Sequence, residues 1–270
     1  MLPAATADFY RAQQRRIVAT LALTRREWSG MGPDFDASWA EIGPKVLLVA
    51  ASSRLGAARA GEAYVAGAVD VEPVARVNAR VLAGVASDGR SLASLLDEAV
   101  IVAKVGVRDG LSRAAALDRG GSWLDMAVHT QVADASRDAQ RLAVVSRPRV
   151  EFVRVANTPC CQRCAVLSGR VYRYSQGFKR HPRCDCTMLP TTVANRDAAG
   201  LTVGPEAVRD LTKLQREAIA DGEDFNQVVN DYQRGKAWHL PPTRVERITE
   251  GARSRSAAVD RLSREGLLAA

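Results

Sequence analysis

All five cysteines of this 270-residue chain fall between Cys160 and Cys186. A disulfide framework spreads its cysteines so as to staple distant loops. A metal instead gathers ligands from two short segments, so an odd, tight cluster points to ligation. The segments are Cys161-Gln162-Arg163-Cys164 and His181-Pro182-Arg183-Cys184-Asp185-Cys186. A Cys-x-x-Cys turn can aim two thiolates at one Zn²⁺ about 2.3 Å away, and a returning hairpin brings the rest of the tetrahedron. Cys184 and Cys186 are two apart, which puts them on one side of an extended segment. His181, three residues before Cys184, offers a nitrogen. Five donors compete for four places. The preferred set is Cys161, Cys164, Cys184 and Cys186, with His181 in place of one of the last two as the close alternative and Cys160 as a spare. Four protein ligands make a structural Zn²⁺ site, which folds a module too small to bury enough apolar surface. Two readings compete with this one. The thiols could form a redox or disulfide couple, although no thioredoxin-like βαβ pattern surrounds Cys161, or they could be reduced thiols packed without metal.

The flanking sequence sets the cluster in a small β element within a helical chain. Val150 to Val155 alternates as a strand does, and Gly169 to Tyr174 supplies a partner. Elsewhere the pattern is helical. Helices are expected at 7–28, at 36–68 with interruptions near Gly43-Pro44 and Gly56, and from Ser91 to about Leu117, where Gly120-Gly121 ends it. Another is expected over 123–142, opened by a Ser122-x-x-Asp125 capping signal. Residues 70–90 read as mixed and 238–242 as a loop, with helical texture at 205–220 and 223–233. The stretch 243–270 reads as a marginal helix or an extended arm. The fold class is therefore mainly α (α+β). It divides into a helical region at 1–148, a Cys-rich β-hairpin, zinc-knuckle-like module at 149–195, and a short helical C-terminal arm at 196–270.

The net charge is +8, carried by 33 Arg and only 5 Lys. Arg grips phosphates and carboxylates with a planar fork, but the excess is spread along the chain and also reflects an Arg- and Ala-rich coding habit. Its concentrated part is residues 151–186, with seven basic side chains against Glu151 and Asp185. Arg163, Arg170, Arg173, Lys179, Arg180 and Arg183 are candidate contacts to nucleic acid or a protein partner; a solvated face around the metal site is the plain alternative. Tyr172, Tyr174 and Phe178 are read as hairpin core before they are read as base-stacking groups. No segment is apolar enough for a membrane span, and the N-terminus has no signal-peptide pattern. There is no P-loop, G-x-S-x-G or H-E-x-x-H. His129, His239, Ser122 and Ser136 are catalytic candidates by residue type alone, so no catalytic site is assigned and no small-molecule substrate is expected.

Three motifs carry a resemblance. After the strand-like Phe152-Val153-Arg154-Val155 come Cys161-x-x-Cys164, then Leu167-Ser168-Gly169-Arg170-Val171-Tyr172, then His181-Pro182-Arg183-Cys184-Asp185-Cys186. This order resembles the Mu F-like minor head protein family of tailed bacteriophages, and residues 219–230 and 249–253 resemble actinobacteriophage members. The resemblance covers roughly 122–254. It implies a virion component of the head interior or portal vertex, made in the host cytoplasm and acting in head assembly, DNA packaging or ejection. Its partners would be the portal protein, the major capsid or scaffold protein, and packaged DNA. Some relatives carry a fused toxin or protease domain; the length after the knuckle suits the plain structural form. Capsid maturation protease and zinc-ribbon nucleic-acid-binding protein are the alternatives.

Overall fold

The computed structural model describes residues 3–192, 201–232 and 239–269. Helices α1 (Ala4–Trp28), α2 (Phe35–Ala68), α4 (Leu92–Arg108) and α5 (Arg113–Val145) pack side by side, with strand β1 (Arg76–Val77) and helix α3 (Val81–Gly84) between α2 and α4. Asp34, Ser91 and Ser112 cap three of these helices, each accepting a hydrogen bond from the backbone three residues on. Val46, Ala50, Leu92, Leu96, Ala99, Leu124, Val128 and Val132 fill the core between them.

Three expected breaks are absent. Helix α5 starts at Ser112 and runs unbroken through Gly120-Gly121, so Ser122 is mid-helix and caps nothing. Gly120 marks a close approach: a Cβ there would lie 2.7 Å from the Ala99 carbonyl and 2.9 Å from the Trp28 ring. Helix α2 likewise continues through Gly43-Pro44 and Gly56. Ile42 and Val46 on either side of Pro44 enter the same core, which outweighs the single backbone bond that proline forfeits.

The second half of α5 is unusual. Every residue from Asp134 to Val145 is buried, including Asp134, Arg137, Asp138, Gln140 and Arg141. Polar residues are normally the solvent face of such a helix; here later elements cover that face. Strand β2 (Val150–Val155) is the centre of a three-stranded antiparallel sheet, between β3 (Val171–Tyr172) and β4 (Thr187–Thr192). Phe152 pairs with Tyr172 on one side and Pro190 on the other. The expected hairpin thus has a third strand that sequence reading missed, because Pro190 interrupts it. At a sheet edge, where fewer backbone donors are needed, proline is tolerated.

Between β2 and β3 lies the short helix α6 (Gln162–Leu167), and beyond the sheet come α7 (Lys213–Ala220) and α8 (Phe225–Tyr232). The helical texture expected from 205 is a 3₁₀ turn at Pro205–Ala207 followed by α7. The last segment folds back onto the helices. Helices α9 (Arg244–Thr249) and α10 (Arg255–Arg264) precede β5 (Leu268–Ala269), which pairs with β1. Val245, Ala258 and Leu262 share a buried cluster with Ala58 and Leu142. Trp238 of the expected 238–242 loop and the expected boundary at 195–196 lie outside the described residues.

Candidate metal centre

Local backbone chemistry aims both cysteine groups at one place. Cys161 caps α6, its sulfur accepting from the Cys164 backbone N–H at 3.4 Å, so the two thiols lie one turn apart on the same side. The second group is a tight turn in which Cys184 N–H donates to the His181 carbonyl at 3.0 Å. Arg183 takes φ 59° there, and its N–H donates to the Thr130 hydroxyl of α5 at 3.1 Å.

The five side chains form two triads joined at Cys164: Cys161, Cys164 and His181, and Cys164, Cys184 and Cys186, with donor atoms in each within 4.8 Å of one another. His181 Nε2 is 3.2 Å from Cys161 Sγ and 3.4 Å from Cys164 Sγ, and Cys164 Sγ is 3.9 Å from Cys184 Sγ. In a tetrahedral zinc site the sulfur–nitrogen and sulfur–sulfur edges are about 3.6 and about 3.8 Å. The donors therefore fit a metal ion, and the group can hold one. His181 Nδ1 faces the Pro182 carbonyl at 2.8 Å. A carbonyl only accepts, so Nδ1 carries the proton and Nε2 is the ring nitrogen aimed at the sulfurs, the usual arrangement for a ligating histidine. Cys160 belongs to neither triad; burial pushes its thiol up to about 11.

Electrostatics within the cluster favour the thiolate at two of its cysteines, Cys161 and Cys184. A hydrogen bond from Cys164, helped by His181, holds Cys161 down to about 4. The bond to Cys161 raises His181 to about 9. Cys184 is held well below the usual thiol range by Cys164 and Cys186, while Cys164, the shared donor, is pushed up. Thiolates are what a metal binds.

One buried cation faces the sulfurs. Arg154, on the central strand, places Nη2 3.4, 3.9 and 3.5 Å from the sulfurs of Cys164, Cys184 and Cys186. Its other terminal nitrogen donates to the Lys179 carbonyl at 2.6 Å, and its guanidinium lies over the Phe178 ring at 4.3 Å. Burial opposes its charge, but the neighbouring sulfurs of Cys186, Cys184 and Cys164 more than offset that and raise its pKa.

Beneath the cluster, the polar half of α5 forms a second network. Asp134 accepts from Arg180 Nε at 2.8 Å on both oxygens and from Arg137 at 3.0 Å. Arg137 also donates to the Cys184 carbonyl, tying the ligand turn to α5. Arg180 reaches the Pro241 carbonyl at 2.7 Å. Thr243 donates to Asp138 at 2.7 Å, and Glu246 accepts from Arg141 at 3.3 Å and from the Thr243 N–H at 2.8 Å.

The sequence-derived contact residues separate accordingly. Arg180 is withdrawn from the surface: it is 4% exposed and committed to Asp134, so it cannot be a nucleic-acid or partner contact. Arg170, Arg173, Lys179 and Arg183 are exposed, and Arg163 is half-buried with Asn230 at 3.5 Å. Arg163 and Arg183 join Arg209, Asp210, Cys161 and His181 around an open cleft of about 390 Å³. Phe178 is buried, and Phe152 and Tyr172 stack at 5.3 Å, so these aromatics are core. Ser136 accepts from Gln13 at 3.0 Å, and burial lowers His129 to about 4.

Arg154, Asp134, Asp138, Arg137 and Glu246 are the residues that sequence reading missed. The one signal for them was charge inside otherwise apolar strand and helix patterns. No protein family, curated protein or solved structure matches the chain.

Proposed function

We propose that the cysteine–histidine centre holds Zn²⁺ and that the chain is a non-enzymatic minor head protein of a tailed bacteriophage, acting at the portal during head assembly. The observation that carries this reading is the convergence of the three resemblance motifs. Cys161-x-x-Cys164 and His181-Pro182-Arg183-Cys184-Asp185-Cys186 meet at one point, and Leu167 to Tyr172 forms the end of α6, the turn and β3 between them. The donor chemistry supports zinc: each triad supplies three sulfur or nitrogen donors within 4.8 Å of one another, with no carboxylate in either.

In this role the centre is structural. Cys161, Cys164 and His181, with Cys184 or Cys186, would hold the ion. Zinc would supply cross-linking of α6 to the His181–Cys186 turn, fixing a surface that meets the portal and the capsid or scaffold protein. The exposed Arg170, Arg173, Lys179 and Arg183 give that surface a basic rim suited to packaged DNA. The test is detection of the protein in purified procapsids and heads, together with its co-purification with the portal protein. Presence in heads and capture by the portal support the assignment; absence from procapsids and virions alike overturns it.

A further inference from the structure

We propose that Arg154 is the positioning residue of the metal centre: it holds Cys164, Cys184 and Cys186 toward a common point and offsets the negative charge of a thiolate-rich donor set. The inference rests on the zinc reading above and adds to it a role for a residue outside the ligand set.

Three neighbouring buried arginines answer carboxylates: Arg137 and Arg180 meet Asp134, and Arg141 meets Glu246; buried Arg54 is held instead by Gln131 and the Leu82 carbonyl. Arg154 is as deeply buried, yet its hydrogen-bond partners among the described residues are three sulfurs and the Lys179 carbonyl. A buried guanidinium with no counter-charge costs several kcal/mol, and the metal-bound thiolates of the proposed site would supply that counter-charge. The side chain also has little freedom to move elsewhere. Its backbone is in the central strand, with N–H to the Arg170 carbonyl at 2.9 Å and carbonyl to the Gly169 N–H at 2.8 Å. Phe178 lies under the guanidinium and the Lys179 carbonyl fixes its far edge.

Charge arithmetic gives the arrangement a purpose. A zinc ion with three thiolates and a neutral imidazole carries one net negative charge, which Arg154 cancels. With four thiolates one negative charge would be left over, and uncompensated charge is costly in a buried site. The neutral sum favours His181 as a ligand beside three cysteines. Hydrogen bonds from such outer groups fix ligand orientation, and their loss typically costs 10–100-fold in metal affinity.

The test measures zinc affinity of the full chain by competition with a chromophoric chelator, for wild type, R154K and R154Q, each checked for folding by circular dichroism. Wild type should bind one zinc, R154Q should bind 10–100-fold more weakly, and R154K, which keeps the charge, should recover most of that loss. Equal affinity in all three, or R154K as weak as R154Q, overturns the role of Arg154 while leaving the zinc centre standing. A wild type that binds no zinc instead removes the zinc reading itself. Should R154Q fail to fold, R154K against wild type in the presence and absence of zinc decides: its melting temperature should gain from zinc as wild type's does, and a gain absent in R154K alone counts against the proposal.

Discussion

The molecule has two interiors built on different chemistry. Between α1, α2, α4 and the first half of α5 the buried side chains are mostly apolar, among them Val46, Leu92, Leu96, Leu124 and Val128, with Arg54 the one buried ion among the described residues there. Where the second half of α5 meets the sheet and the cysteine cluster, buried arginines, carboxylates and thiols are set among apolar side chains such as Val144, Phe152 and Met188. Apolar contacts are non-directional, so the first interior should respond to damage in proportion to the volume removed. In the second, each ion depends on a particular partner, and removing one leaves another stranded. The helical half can thus tolerate variation, whereas the cysteine half is held to one arrangement. That is what the proposed metal and partner surface would require.

The largest break should come from Asp134→Ala, which strands both Arg180 and Arg137 in the interior. It should cost about 3–5 kcal/mol of unfolding free energy by denaturant titration. Leu96→Ala, in the apolar interior, should cost about 3 kcal/mol and leave the cysteine cluster intact by thiol accessibility. If the two variants instead expose the cysteines equally, the interiors are not distinct. Gly61→Ala probes the seam between them, because a Cβ there would lie 2.6 Å from the Ser136 carbonyl. It should cost about 1–3 kcal/mol, since backbone must shift.

A pH experiment sharpens the contrast. Burial raises Asp138 from 3.8 to about 7, helped by Asp134 and Glu246 and opposed by the Thr243 hydroxyl and Arg180. The folded chain therefore holds this proton more tightly than the unfolded chain. Its contribution to stability is full at acid pH and declines as pH rises from about 4 to about 7. Asp138→Asn should remove that decline relative to wild type, and a variant with the wild-type slope would place the proton elsewhere. The smallest effect belongs to Arg170→Ala, whose side chain is exposed: melting should be unchanged, and any DNA binding should weaken and lose part of its salt dependence.

These two interiors also differ in how far the sequence betrays them. Helical periodicity exposes α1 and α2, but it runs α4 into the first turn of α5 and misses the break at 109–112 between them; the spacing of Cys161, Cys164, His181, Cys184 and Cys186 exposes the donor set. Gly120 misleads, because a glycine admitting a close helix contact looks like one that ends a helix. Strand β4 is hidden by Pro190. The polar half of α5 is misread for a physical reason: local sequence shows that Asp134, Arg137 and Arg141 are charged, not that distant residues such as Arg180 and Glu246 arrive to pair with them. Arg180 illustrates the same limit from the other side. It sits in a basic run that looks solvated, yet it is buried against α5.

In the proposed role a metal organises the cysteine half. The most direct measurement is elemental analysis of the purified full chain, paired with thermal melting of wild type and the Cys161→Ser/Cys164→Ser variant. One zinc per chain in wild type, lost in the variant together with a clear drop in melting temperature, is the predicted result. No metal in wild type and unchanged melting in the variant would contradict it.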